Sequence, residues 1–160
     1  MPHCSELIDQ ASGGEFIVKL YEPGKLVPPS EVLESVSKGR VDSGYSAAGF
    51  WAGKIPASPL FTSIPFGPEA PEYLAWMLEG NGHKLYQEMY DQAGYNVKVF
   101  PVGIVAPETS GWFAEEINSP EQLDGLKMRF FGLGGQVMQK LGVAVTQIPG
   151  AEIFPALEKG

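Results

Sequence analysis

The stretch Gly125-Leu-Lys-Met-Arg-Phe-Phe-Gly-Leu-Gly-Gly135 decides the fold. A short apolar strand ends at Arg129, and a glycine-rich turn then opens onto a helix over about 134–141, with Val137, Met138 and Leu141 facing inward. Val143 to Ile148 reads as the next strand and Ala151 to Lys159 as the next helix. A strand, a helix and a second strand in this order form the unit of an α/β fold with parallel pairing. Arg129 therefore stands at the carboxyl end of a strand, the edge from which open α/β sheets hold ligands. Its guanidinium is a fixed fork of donors that matches both oxygens of a carboxylate.

The same alternation extends toward the amino terminus. Residues 1–11 read as the last turns of a helix, and Phe16 to Tyr21 as a strand. Ser30 to Lys38 is helical, with Val32, Leu33 and Val36 as its stripe and Gly39 at the C′ position. Val41 to Ala47 reads as a buried strand. A loop rich in aromatic residues runs from Gly49 to Pro68, and helices follow over 70–79 and 82–92, the second with Leu85, Tyr86, Met89 and Tyr90 as its stripe. Asn96 to Pro101 alternates as a strand, Val102 to Ala106 extends it, and Gly111 to Phe113 is a further strand. Ser119, Pro120 and Gln122 carry the pattern of a capping box, which starts a short helix that ends by Gly125.

An internal repeat lies within this order. Ser30-Glu-Val-Leu-Glu-Ser-Val-Ser-Lys-Gly39 aligns without gaps onto Ala151-Glu-Ile-Phe-Pro-Ala-Leu-Glu-Lys-Gly160. Glu, Lys and Gly are identical, and the apolar positions stay apolar. Common helix chemistry produces such matches too; two related lobes are the stronger explanation.

Composition narrows the function. The 160 residues are 44% hydrophobic and 19% charged, a globular balance. Nineteen acidic against eleven basic residues give a net charge of −8, which disfavours nucleic acid and anionic membranes as partners. Cys4 is the sole cysteine, so no disulfide joins two parts of the chain, and His3 and His83 lack metal-ligand spacing. No apolar run reaches the ~18 residues of a membrane span, and Met1-Pro-His-Cys-Ser has neither the basic start nor the apolar core of an export signal. Catalytic motifs are poor. Gly132-Leu-Gly-Gly-Gln-Val137 lacks the last small residue of a dinucleotide fingerprint, and no nucleophile elbow or Cys-His pair is present.

Binding chemistry is better represented. Arg129 can hold a carboxylate while Phe50, Trp51 and Phe131 exclude water around it, although each of these aromatics also suits a core. Glu108 offers oxygen to a hard cation.

Several runs together resemble the periplasmic solute-binding subunit of tripartite ATP-independent (TRAP) transporters. They are Lys38-Gly-Arg-Val-Asp-Ser-Gly44, Pro65-Phe-Gly67, Gly111-Trp-Phe113, Asn118 to Arg129, Gly134 to Gly142, and Ala156-Leu-Glu-Lys-Gly160. The resemblance covers nearly the whole chain. It implies two α/β lobes joined by hinge strands that close on a small organic acid and deliver it to a membrane permease driven by an ion gradient. Residues 1–101 would then be most of the first lobe, and 102–160 a hinge strand and part of the second. The hallmark carboxylate-binding arginine falls on Arg129. The likeness is greatest to the branch binding 2-oxo or 2-hydroxy acids and related carboxylates, dicarboxylates included, in which a Na or Ca ion can accompany the ligand. There a glutamine before the Gly-Trp-Phe run contributes to the cation site, and Glu108 stands in its place, bringing a full charge where an amide brings a dipole. Family members are roughly twice as long, begin with an export signal that this chain lacks, and act in the periplasm; a homodimer fits the full-length form. The resemblance thus implies a two-lobed binding protein whose second lobe is incomplete, and not an enzyme. A ligand-sensing module, or less readily a small α/β enzyme acting on carboxylates, is the alternative.

Overall fold

A computed structural model of the chain describes residues 2–105 and 109–159. The unit around Arg129 forms as its sequence dictates. Strand β1, Lys127–Arg129, is followed by helix α5, Gly132–Lys140, and strand β2, Ala144–Thr146. The two strands pair in parallel with Arg129 opposite Thr146, and backbone bonds from Phe130 to Thr146 (3.1 Å) and from Ala144 to Leu126 (2.9 Å) lengthen the ladder. Gly142 ends α5 in the left-handed region at φ 88°, and a Cβ there would overlap Asp124. The chain turns there because position 142 carries no side chain. The helix buries Gly135, while Val137 and Leu141 are half-exposed, so the inward stripe read from the sequence is rotated toward Gly135 and Met138.

Outside this unit the regular structure among the described residues is helical. Helix α1 spans Pro2–Ala11, α2 Val32–Ser37, α3 Ala70–Leu78, α4 Gly82–Gln92 and α6 Ile153–Lys159. One core gathers Leu33 from α2, Met77 from α3, and Tyr86, Met89 and Tyr90 from α4 around Ala48, Trp51 and Ile55 of the loop between α2 and α3. Phe61 joins it by stacking on Tyr86 at 4.6 Å, within the range in which aromatic pairs add to simple burial. Leu85 of the expected α4 stripe is 39% exposed; it sits at the edge of the face rather than in it.

The strands expected at 16–21, 41–47, 96–101 and 111–113 do not form, nor does the extension over 102–105; Ala106 lies outside the described residues. A strand exists only where a neighbour completes its ladder, and β1 with β2 is the only ladder among the described residues. Around 96–99 the backbone is satisfied by side chains instead. Gln87 of α4 donates to the Val97 carbonyl (2.8 Å) and accepts from the Val99 amide (3.1 Å), Ser37 accepts from Asn96 (2.9 Å), and His83 Nε2 lies 2.7 Å from the Val99 carbonyl. Val97 and Val99 still pack on the core. Around 16–21 apolar character leads to no burial, and Ile17 is 77% exposed.

The turn and helix of the repeat recur in backbone detail, while the strand expected before the first copy does not form. A 3-10 turn over Pro29–Glu31 leads into α2, and one over Gly150–Glu152 leads into α6, at the same offset from the aligned residues. The preceding residues are Pro28 at φ −56°, ψ 142° and Pro149 at φ −55°, ψ 149°. Each accepts from the glutamate three residues on, at 2.9 Å. Packing differs between the copies. Leu33 is buried, whereas its counterpart Phe154 is 70% exposed.

Candidate functional site

The βαβ unit meets the helical part of the molecule where α5 touches the 3-10 turns Ala48–Trp51 and Ser58–Phe61. Arg129 stands at this junction. It is the last residue of β1 and half-buried, and its Nε donates to the Ile148 carbonyl at 3.3 Å. The guanidinium carbon lies over the Phe131 ring, 5.5 Å from its centroid, close enough for cation–π attraction. Arg129 and Phe131 can touch because residues two apart leave an extended chain on the same side. Phe131 in turn stacks on Phe50, with centroids 5.0 Å apart and planes 11° from parallel.

Three residues singled out in the sequence, Phe50, Phe131 and Arg129, are thus brought into one layered stack. Its seat depends on Gly49, a position that carries no signal in the sequence. A Cβ at Gly49 would lie 2.9 Å from the Phe131 ring and 2.8 Å from Thr62 Oγ1, so the backbone approaches the ring as only glycine permits. Trp51 is elsewhere. It is 3% exposed in the core, and its indole N–H donates to Tyr90. Burial raises the Tyr90 hydroxyl above the ordinary tyrosine value, and the bonds from Tyr86 and Trp51 offset part of that rise. Glu108 lies outside the described residues.

Among the described residues no carboxylate pairs with Arg129, whereas Lys54 pairs with Glu34 and Lys84 with Glu88. A half-buried guanidinium with no carboxylate partner among the described residues has the chemistry to hold an anion. A cavity of about 150 Å³ adjoins the stack between Ala52 and Phe130, Phe131, Gln136 and Thr146. No group of three or more His, Cys, Asp or Glu side chains converges on a metal position among the described residues, and no helix is long and apolar enough to cross a membrane.

Known proteins share this fold. The chain is 42% identical over 153 residues to a monocarboxylate 2-oxoacid-binding periplasmic protein of Nostoc sp., covering 96% of this chain and 42% of that protein. It superposes with a TM-score of 0.94 on a TRAP transporter solute-binding protein from Bordetella bronchiseptica, a mixed-occupancy dimer with calcium and picolinate in one site, at 35% identity. It superposes at 0.86 on a TRAP periplasmic solute-binding protein from Pseudoalteromonas atlantica with bound sodium and pyruvate, at 37% identity. These alignments cover 99% and 97% of this chain but 47% and 46% of those proteins, so the chain spans less than half the length of these relatives. Residues 2–160 match the bacterial extracellular solute-binding proteins of family 7, DctP, and the chain belongs to that family.

Proposed function

We propose that this chain supplies the carboxylate-gripping half of a periplasmic binding protein that captures a small organic acid of the 2-oxo or 2-hydroxy class for an ion-gradient-driven permease. The observation that carries the reading is Arg129. It is half-buried at the carboxyl end of a parallel strand, faces the junction between the βαβ unit and the helical part, and has no acidic partner among the described residues. The pyruvate and picolinate of its relatives are small monocarboxylates, which supports a ligand of that size. On this reading residues 1–101 are most of the first lobe, and 102–160 hold the hinge segment, which forms no ladder among the described residues, and part of the second, with the Phe50–Phe131 stack crossing between them. The protein binds its acid and does not transform it.

The calcium and sodium of the relatives favour a cation beside the ligand here too. Glu108 is the residue proposed to meet it, and a carboxylate there favours the more highly charged ion. The dimer of the Bordetella protein makes a homodimer the proposed assembly of the full-length form.

Calorimetry tests the reading. The chain, and a form extended to the length of its relatives, are titrated with pyruvate, lactate, succinate and acetate, each with and without calcium. Pyruvate or lactate should bind ahead of acetate and succinate, and Arg129→Ala should lose that binding. An Arg129→Ala protein with unchanged affinity for every acid would overturn the assignment.

A further inference from the structure

The geometry points to a single approach direction for the ligand: the carboxylate meets Arg129 end-on, through its two Nη groups, because Phe131, Gly49 and the Ile148 carbonyl have already committed the rest of the guanidinium. This rests on the proposed role of Arg129 and specifies how it acts. A guanidinium offers a carboxylate two bidentate edges, one formed by Nε with one Nη and the other by the two Nη groups. The first edge is closed, since Nε–H already donates to the Ile148 carbonyl at 3.3 Å. One face is closed as well, because the Phe131 ring lies 5.5 Å from the guanidinium carbon.

Phe131 is itself held on two sides. Phe50 stacks against it at 5.0 Å, and the buried backbone of Gly49 abuts the ring so closely that a methyl group would stand 2.9 Å from it. Thr62 closes the space behind Gly49, its Oγ1 lying 2.8 Å from where that methyl would be. The ring therefore cannot slide away from the guanidinium without displacing the Ala48–Trp51 turn. Phe131 and Gly49 are positioning residues on this account. They act through Arg129 by fixing its plane before the ligand arrives, and a preorganised fork loses less freedom on binding than a mobile one.

The chain contains two arginines, Arg40 and Arg129, and Arg40 is exposed. Nitrogen-15 NMR of the labelled chain therefore shows two Nε–Hε signals, with Arg40 as an internal control; Arg40→Lys assigns them. Without ligand, the Arg129 Nε–Hε proton should exchange with water about fivefold to tenfold more slowly than that of Arg40, the factor one net hydrogen bond supplies. Phe131→Leu should bring the two rates within about twofold, as loss of a cation–π contact allows, with the thermal midpoint followed in parallel. Gly49→Ala, which keeps the ring but moves it, should act in the same direction. Equal exchange of the two arginines in the unaltered chain overturns the inference, as does an Arg129 rate indifferent to both substitutions.

Titration with sodium pyruvate and calcium chloride then reads the edge. Perturbation of the Arg129 Nη signals with the Nε–Hε proton unmoved supports the end-on grip, and a downfield move of Nε–Hε overturns it. Pyruvate binding that leaves every Arg129 signal unchanged would instead defeat the proposed role of Arg129 itself, so the two failures are distinguishable. Where the chain does not bind pyruvate, the exchange rates of the free protein decide the inference.

Discussion

At Arg129 the free energy at stake depends on how completely the ligand is enclosed. In a closed cleft, Arg129→Ala should cost on the order of 2–5 kcal/mol, as loss of one partner from a buried charge pair does, a weakening of roughly thirtyfold to several thousandfold. Arg129→Lys should recover part of it, since an ammonium keeps the charge and loses the fork; calorimetry on both variants checks this. A second residue-scale expectation concerns Glu34, which accepts a hydrogen bond from Lys54 while its Oε2 is shut from solvent without a partner among the described residues. Burial pushes the Glu34 carboxyl up, but the hydrogen bond from Lys54 and the charges of Lys54 and Lys38 hold it below its ordinary value of 4.5. A depressed carboxylate contributes stability above the unfolded value, lost as pH falls through the folded one. Lys54 is 46% exposed, so solvent limits the pair to about 0–1 kcal/mol. Lys54→Met should show a deficit of that size in urea unfolding at pH 7 that fades below pH 4.5. The place of Arg129 at the carboxyl end of a strand was legible from sequence because the strand and the glycines after it are local features. Gly49 was not, because its role depends on a ring eighty-two positions away.

Among the elements, helices were read far better than strands. A helix satisfies its backbone within itself, so caps and periodicity in local sequence suffice to place it. The capping box at Ser119 and Gln122 forms as its residues indicate, and α4 runs from Gly82 to Gln92. A strand depends on a neighbour chosen elsewhere in the chain. Segment 96–99 has the β-branched alternation of a strand, yet its polar groups are met by Gln87 and His83. Gln87 therefore performs the work of a missing neighbour. Gln87→Leu would leave the Val97 carbonyl and the Val99 amide unpaired against the core, at a cost of about 1–3 kcal/mol. Gln87→Glu keeps the acceptor for Val99 and loses the donor to Val97, so it should fall between the two. Denaturant unfolding of both variants measures this, and a Gln87→Leu protein as stable as the parent would refute it.

For the molecule as a whole, the repeat was legible in its turns and helices, since α2 and α6 share turn, offset and entry dihedrals, but not in the strands expected around the first copy. Their surroundings do not match. The α2 face lies on a core, whereas Phe154 and Leu157 of α6 are 70% and 75% exposed. The chain by itself should accordingly bind its acid weakly, because an open half-cleft leaves Arg129 in contact with water, where an ion pair is worth only about 0–1 kcal/mol. A form as long as its relatives should bind far more tightly, and equal affinity of the two in calorimetry would contradict that.

The three tryptophans occupy three different environments. Trp51 is sealed in the core, Trp112 is 94% exposed beside Phe113, and half-buried Trp76 donates its indole N–H to Asn81 at 3.0 Å. Their light emission divides accordingly. Trp51 reports the integrity of the core at short wavelength, and Trp112 reports its own surface at long wavelength, where an ionic quencher reaches it first. Any molecule that settles over the Gly-Trp-Phe segment would shield the red component alone, so the unmodified chain carries its own optical probe of what covers that surface.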